Sequence, residues 1–100
     1  MKEFKSISQM VIERRGPAIV GIDGVFYSIG VPLFNEETKE IERIFEFSIV
    51  GKLPAWKGRE IYRAPCLGEP SIVDMKRARK QAYAVCKKLE EKRREKINGS

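Results

Sequence analysis

The 100-residue sequence predicts an α+β fold: a short N-terminal helix, an antiparallel three- to four-stranded sheet, and a long C-terminal helix packed on one sheet face. Three observations carry this expectation. Helix-spaced apolar residues end at Arg14-Arg15-Gly16-Pro17, β-rich runs separated by turn signals fill residues 17–66, and neither Gly nor Pro interrupts the chain from Ser71 to Asn98. With 42% hydrophobic residues, a single domain over 1–100 with one core is expected.

The first element, within 1–16, carries Phe4, Ile7, Met10 and Val11 at helical spacing. Gly16 is the expected stop, Pro17 cannot continue a helix, and Arg14 and Arg15 suit the negative end of the dipole. Ala18 to Ile22 and Val25 to Phe34 flank Asp23-Gly24, a pair suited to a type I′ turn because both central residues tolerate φ > 0. Two antiparallel strands follow from it. Gly30 and Pro32 suggest a bulge or an edge at the far end of the second strand.

Asn35 to Glu40 is polar, with turn chemistry at Asn35. Ile41 to Val50 is the clearest strand: Arg43, Phe45, Phe47 and Ile49 share one face, and Glu42, Ile44, Glu46, Ser48 and Val50 the other. The two Phe rings mark the first face as the core, which leaves Glu42 and Glu46 toward water. Gly51 to Gly58 reads as a loop, and Arg59 to Cys66 as the last strand, ended by Pro65 and Gly68-Glu69-Pro70.

The C-terminal helix, 71–96, is expected to start at Ser71 as N-cap with Asp74 in its first turn, and to fray after about Leu89, where apolar residues run out. Met75, Ala78, Ala82, Val85 and Leu89 form its apolar stripe, flanked by Ile72 and Cys86. Residues 71–96 hold ten Lys/Arg against four acids, whereas residues 1–70 hold ten of each, so the net +6 sits on this element. That asymmetry points to a polyanion partner. At about 100° per residue, Lys76, Lys80, Tyr83, Lys87 and Arg94 cluster beside the stripe as a basic ribbon.

Several chemistries find no support. The chain has no histidine, no Gly-x-Ser-x-Gly elbow and no phosphate-binding Gly-rich loop, so no enzyme and no cofactor are expected. Cys66 and Cys86 stand apart without further ligands, which argues against a metal site and for two buried thiols acting as small apolar side chains. No apolar run is long enough to cross a bilayer and the N-terminus has no signal-peptide pattern, so a cytoplasmic protein is expected.

Two resemblances extend this reading. Gly24 to Lys92, three strands and a long helix with Ala78-x-x-x-Ala82-Tyr83, resembles the three-stranded-sheet DNA-binding domains of integrase N-termini and AP2-type proteins. It implies base or backbone contact by Arg43, Arg59 and Arg63, with salt bridges to Glu42, Glu46 and Glu60 as the structural alternative. The helix, three-strand, helix order, with Phe45-Glu-Phe47-Ser-Ile49-Val50-Gly51 and Lys76-Arg77-Ala78-Arg79, is similar to double-stranded RNA-binding domains and implies phosphate contact by Lys76, Arg77, Arg79 and Lys80. The connector Asn35 to Glu40 departs from that family in lacking Gly-Pro-x-His, and the Asp23-Gly24 hairpin is extra.

The expected function is nucleic-acid binding, DNA ahead of double-stranded RNA, by a monomer or homodimer. The expected contact residues are Lys76, Arg77, Arg79, Lys80, Tyr83 and Lys87 on the helix, with Lys52, Trp56, Lys57, Arg59 and Arg63 from the preceding loop and strand. Trp56 either stacks on bases or closes the core. The competing expectation is a protein-interaction module or inhibitor of phage or mobile-element type, using the sheet edge around Val25 to Phe34 or the helix.

Overall fold

The computed structural model describes residues 6–22, 26–51 and 53–98. They form α1 (Ile7–Arg14), β1 (Ala18–Ile22), β2 (Phe26–Phe34), β3 (Ile41–Val50), β4 (Leu53–Arg63) and α2 (Ile72–Asn98). The strands make one antiparallel sheet in the order β1-β2-β3-β4, the α+β architecture that the sequence predicts. Phe4, the Asp23-Gly24 turn and Lys52 lie outside the described residues. β1 and β2 do pair antiparallel, with Ala18 opposite Gly30 and Ile22 opposite Phe26; that register leaves residues 23–25 between the strands, one more than the two-residue type I′ turn expected at Asp23-Gly24, which would set Ile22 opposite Val25.

Because successive strand residues point to opposite faces, the sheet has two apolar surfaces, each with its own helix. Ile29, Val31, Leu33, Phe45 and Phe47 pack under Ala78 and Ala82 of α2, with Ile19, Ile49, Met75 and Val85 around them. One residue out of phase, Ile44 packs with Val11 of α1 and Ala18, ringed by Ile7, Met10 and Tyr62. The core-facing assignment of Phe45 and Phe47 therefore holds, and both rings are fully buried. Ile44, placed by its phase on the acidic outer face, is buried as well, because α1 covers it. Burial of each of these side chains contributes about 1.5–3 kcal/mol.

Local chemistry sets the ends of α1. Ser6 and Gln9 form a reciprocal capping box, side chain to backbone in both directions. The left-handed residue at the C-terminus is Arg15 (φ 55°), one position before the expected Gly16. Gly16 N–H then donates to Val11 O and Arg15 N–H to Ile12 O, the Schellman pattern. Arg15 Nη2 also donates to Lys39 O at 2.9 Å, which ties α1 to the β2–β3 turn. In that turn Asn35 Oδ1 accepts from the N–H groups of Glu37 and Thr38, as its turn chemistry predicts.

Three expectations about the sheet need correction. Residues 53–58 belong to β4 and do not form a loop; Gly51, at φ 64°, and residue 52 are all that separates β3 from β4. Of the stretch around Val25 to Phe34 expected as an edge, Phe26 to Gly30 is not one: there β2 lies between β1 and β3, and the outer strands of the sheet are β1 and β4. Past Gly30, however, β2 pairs with β3 alone, which is where Pro32 is tolerated. Finally, Cys66 is exposed, in a left-handed conformation (φ 73°) after β4, whereas Cys86 is half-buried; both thiols are free. Burial pushes the Cys86 thiol up.

β4 keeps its place through Gly58. It lies opposite Phe47, with register irregularities on either side. A Cβ there would meet the Phe47 ring, 2.7 Å from Cδ1 and 2.9 Å from Cζ. Phe47 is fully buried and has nowhere to move. Gly58→Ala is expected to cost about 1–3 kcal/mol, a fall in Tm of roughly 5 °C or more by thermal denaturation, despite the better β propensity of Ala.

Candidate nucleic-acid interface

The start of α2 is built by Ser71 and Asp74. Ser71 N–H and Oγ–H donate to Asp74 Oδ2 at 2.9 and 3.1 Å, and Asp74 N–H donates back to Ser71 Oγ at 3.1 Å. These bonds satisfy donors that the first helical turn leaves open. The backbone N–H of Ser71 is the main cause that holds the Asp74 carboxyl below its usual range, with help from Arg43 and Arg77. Asp74 is thus committed to the cap.

Beneath the cap, on the α2 face of the sheet, lies a charge network. Arg43, a buried charged residue, sits 2.7 Å from Glu60 Oε2, donates to Gly68 O at 2.8 Å and approaches Asp74 at 4.0 Å. Arg63 bonds the other oxygen of Glu60 at 2.6 Å and reaches Glu69 at 3.4 Å. Burial pushes the Glu60 carboxyl up, but the hydrogen bonds from Arg63 and Arg43 outweigh it and hold the group below the ordinary carboxylate range. On the opposite face, Arg59 Nε donates to Glu46 at 2.9 Å. Of the two arrangements expected for the strand arginines, salt bridges are the one present, with Glu46 and Glu60 as partners. Glu42 instead accepts from Asn35 Nδ2 at 2.8 Å.

The consequence falls on α2. Lys76, Arg77, Lys80, Lys87 and Lys88 are exposed. Among the described residues no ion pair involves any of them. At about 100° per residue, Lys76, Lys80 and Lys87 point roughly 160° away from Ala78 and Ala82, so the ribbon lies on the far side of the helix and not beside its apolar stripe. From Lys76 to Lys87 it runs about 16 Å along the axis.

The other expected contact residues divide. Arg79 and Tyr83 are half-buried and engage each other: the guanidinium carbon lies 4.7 Å from the ring centroid, and Arg79 Nη2 donates to the Tyr83 hydroxyl. This cation–π pair occupies the aromatic of the ribbon. Lys57 is exposed on β4, while Lys52 and the side chain of Trp56 lie outside the described ones. Arg59 and Arg63 are ion-paired as above.

One member of the apolar stripe and one of its flanking residues are also left exposed. Leu89 keeps the phase of the stripe yet is 42% exposed, and Ile72 is 76% exposed. The helix continues to Asn98, past the expected point of fraying, through residues of high helix propensity. Sequence reasoning did not foresee that Glu60 serves two arginines. The signal, opposite charges on adjacent strands, becomes readable only once the β3–β4 register is known.

No known family model matches the chain, and neither a curated protein nor a solved structure shows detectable similarity to it. Among the described residues no helix is long and apolar enough to cross a membrane.

The network sets a pH dependence. Because the folded-state carboxyls of Glu60 and Asp74 are lowered from 4.5 and 3.8, their stabilisation is fully present above those ordinary values and is lost as pH falls through the lowered ones. Glu60→Gln, which leaves Arg43 with a neutral partner, is expected to cost on the order of 2–3 kcal/mol at pH 7 and to flatten the acid limb of stability against pH. Urea denaturation across pH 2–7 checks both.

Proposed function

We propose that this protein binds nucleic acid through the outward face of α2, with double-stranded DNA preferred over double-stranded RNA. The observation that carries the reading is the division of charge: Glu46 and Glu60 are taken by Arg59, Arg43 and Arg63, and Asp74 by its cap. The helix lysines keep their charge uncompensated. Lys76, Arg77, Lys80, Lys87 and Lys88 form the phosphate-contacting set, because a row of exposed cations on a rigid rod displaces condensed counterions from a polyphosphate. Arg79 and Tyr83 support this row from the side and stiffen it. The preference for DNA rests on the connector between β2 and β3, a tight turn closed by Asn35 that offers no extended loop to reach across a shallow minor groove.

The contact is non-specific in character. The described arginines of the strands are occupied, and the exposed cations of α2 are mostly lysines, point charges suited to phosphate more than to base edges. Binding therefore falls steeply with salt and responds weakly to duplex sequence.

Replacing Lys76, Lys80 and Lys87 together by Gln is expected to leave folding within about 1 kcal/mol, since the three side chains are exposed and unpaired. It should lower the slope of log K against log salt by roughly 3 in fluorescence-anisotropy titrations of mixed-sequence duplex DNA. Unchanged binding in the triple variant, or no binding by the parent chain at low salt, overturns the reading.

A further inference from the structure

The two sheet edges are built differently. β4 carries Pro54, Lys57, Gly58, Arg59 and Arg63 and is broken by register irregularities, the features that keep an edge from pairing with another strand. β1, Ala18-Ile-Val-Gly-Ile22, is short and has a glycine of its own, Gly21, but it is uncharged, free of Pro and regularly paired to β2 on one side only. Its other side presents backbone N–H and C=O groups to whatever strand can reach them. Ile19 and Val20 are half-buried, and Ile12 is 44% exposed on α1, which packs over β1 and β2. α2 makes its main contacts with β2, β3 and β4.

We infer that β1 is a self-association edge at which two copies of this chain pair antiparallel about a two-fold axis, centred on Val20, into a continuous eight-stranded sheet. A second copy fits better than an unrelated strand because the edge is self-complementary: in this register Val20 meets Val20, Ile19 meets Gly21 and Ala18 meets Ile22, with no charge opposed to its like. An axis normal to the sheet keeps both α2 helices on one face. With strands about 4.8 Å apart, the two β3 strands stand roughly 24 Å from each other. The pairing rests on the fold alone and not on the nucleic-acid reading.

The two proposals separate by salt. Pairing joins two chains of +6, so screening favours the dimer, whereas screening weakens polyanion binding. Sedimentation velocity or light scattering should show mass rising with concentration from 11.5 kDa toward twice that value, more readily at high salt. Val20→Lys and Val20→Glu should each be monomeric, since like charges meet at the axis, and mixing them should restore a dimer. Val20→Cys, with Cys66 and Cys86 replaced by Ser, should cross-link to itself on oxidation even if the charged variants fold poorly. A parent chain that stays monomeric at every concentration and salt overturns the inference. So does a dimer that survives both charge variants, or a folded Val20→Cys chain that forms no cross-link while the parent dimerises.

Discussion

The structure depends on how closely α2 approaches the sheet. Two fully buried alanines, Ala78 and Ala82, share one core cluster with Ile29, Val31, Leu33, Phe45 and Phe47, so at its centre the large side chains come from the sheet and the small ones from the helix. Complementary sizes at one contact let the helix sit low and make its rotation about its own axis costly to change. Once that rotation is set, every other α2 residue has a direction. The lysines four and seven positions apart on the far side, Lys76, Lys80 and Lys87, have no choice but water or a partner.

Electrostatics then divides the molecule. The sheet has acids and arginines in nearly equal number and uses them on each other; the helix has cations in excess and uses one acid, Asp74, to cap itself. The Arg43–Glu60–Arg63 cluster is where the two halves meet, beneath the first turn of α2 and against the carbonyl of Gly68. An ion cluster this shielded adds little over an apolar contact of equal volume, but removing one member leaves another charge without compensation. Its role is therefore to fix where the β4–α2 connection runs.

Glycine placement marks the close approaches. A side chain at Gly30 would press on Val11 at 2.9 Å and Ile7 at 3.0 Å, so α1 seats itself over a gap in β2. Gly58 leaves room for the Phe47 ring in the same way on the other face. Both positions lie in strand interiors, where glycine weakens a strand unless another group needs the space. Here another group does in each case.

Much of the local architecture was legible along the chain. The alternation in β3, the Asx turn at Asn35, the cap at Ser71 and the stripe from Met75 to Val85 each follow from chemistry within a few residues. What tertiary contact alone decided involves partners distant in sequence. Ile44 is buried because α1 crosses its face, Cys66 is exposed because its turn leaves the sheet, and residues 53–58 pair as strand because β3 offers them a ladder that their own composition does not demand. Glu60 chose its arginines by register, and β1 became an edge by strand order. Sequence by itself determined the inventory of elements and the sign of the charge on α2; only packing determined which faces were covered and so which cations were left exposed, because burial and pairing are properties of neighbours in space.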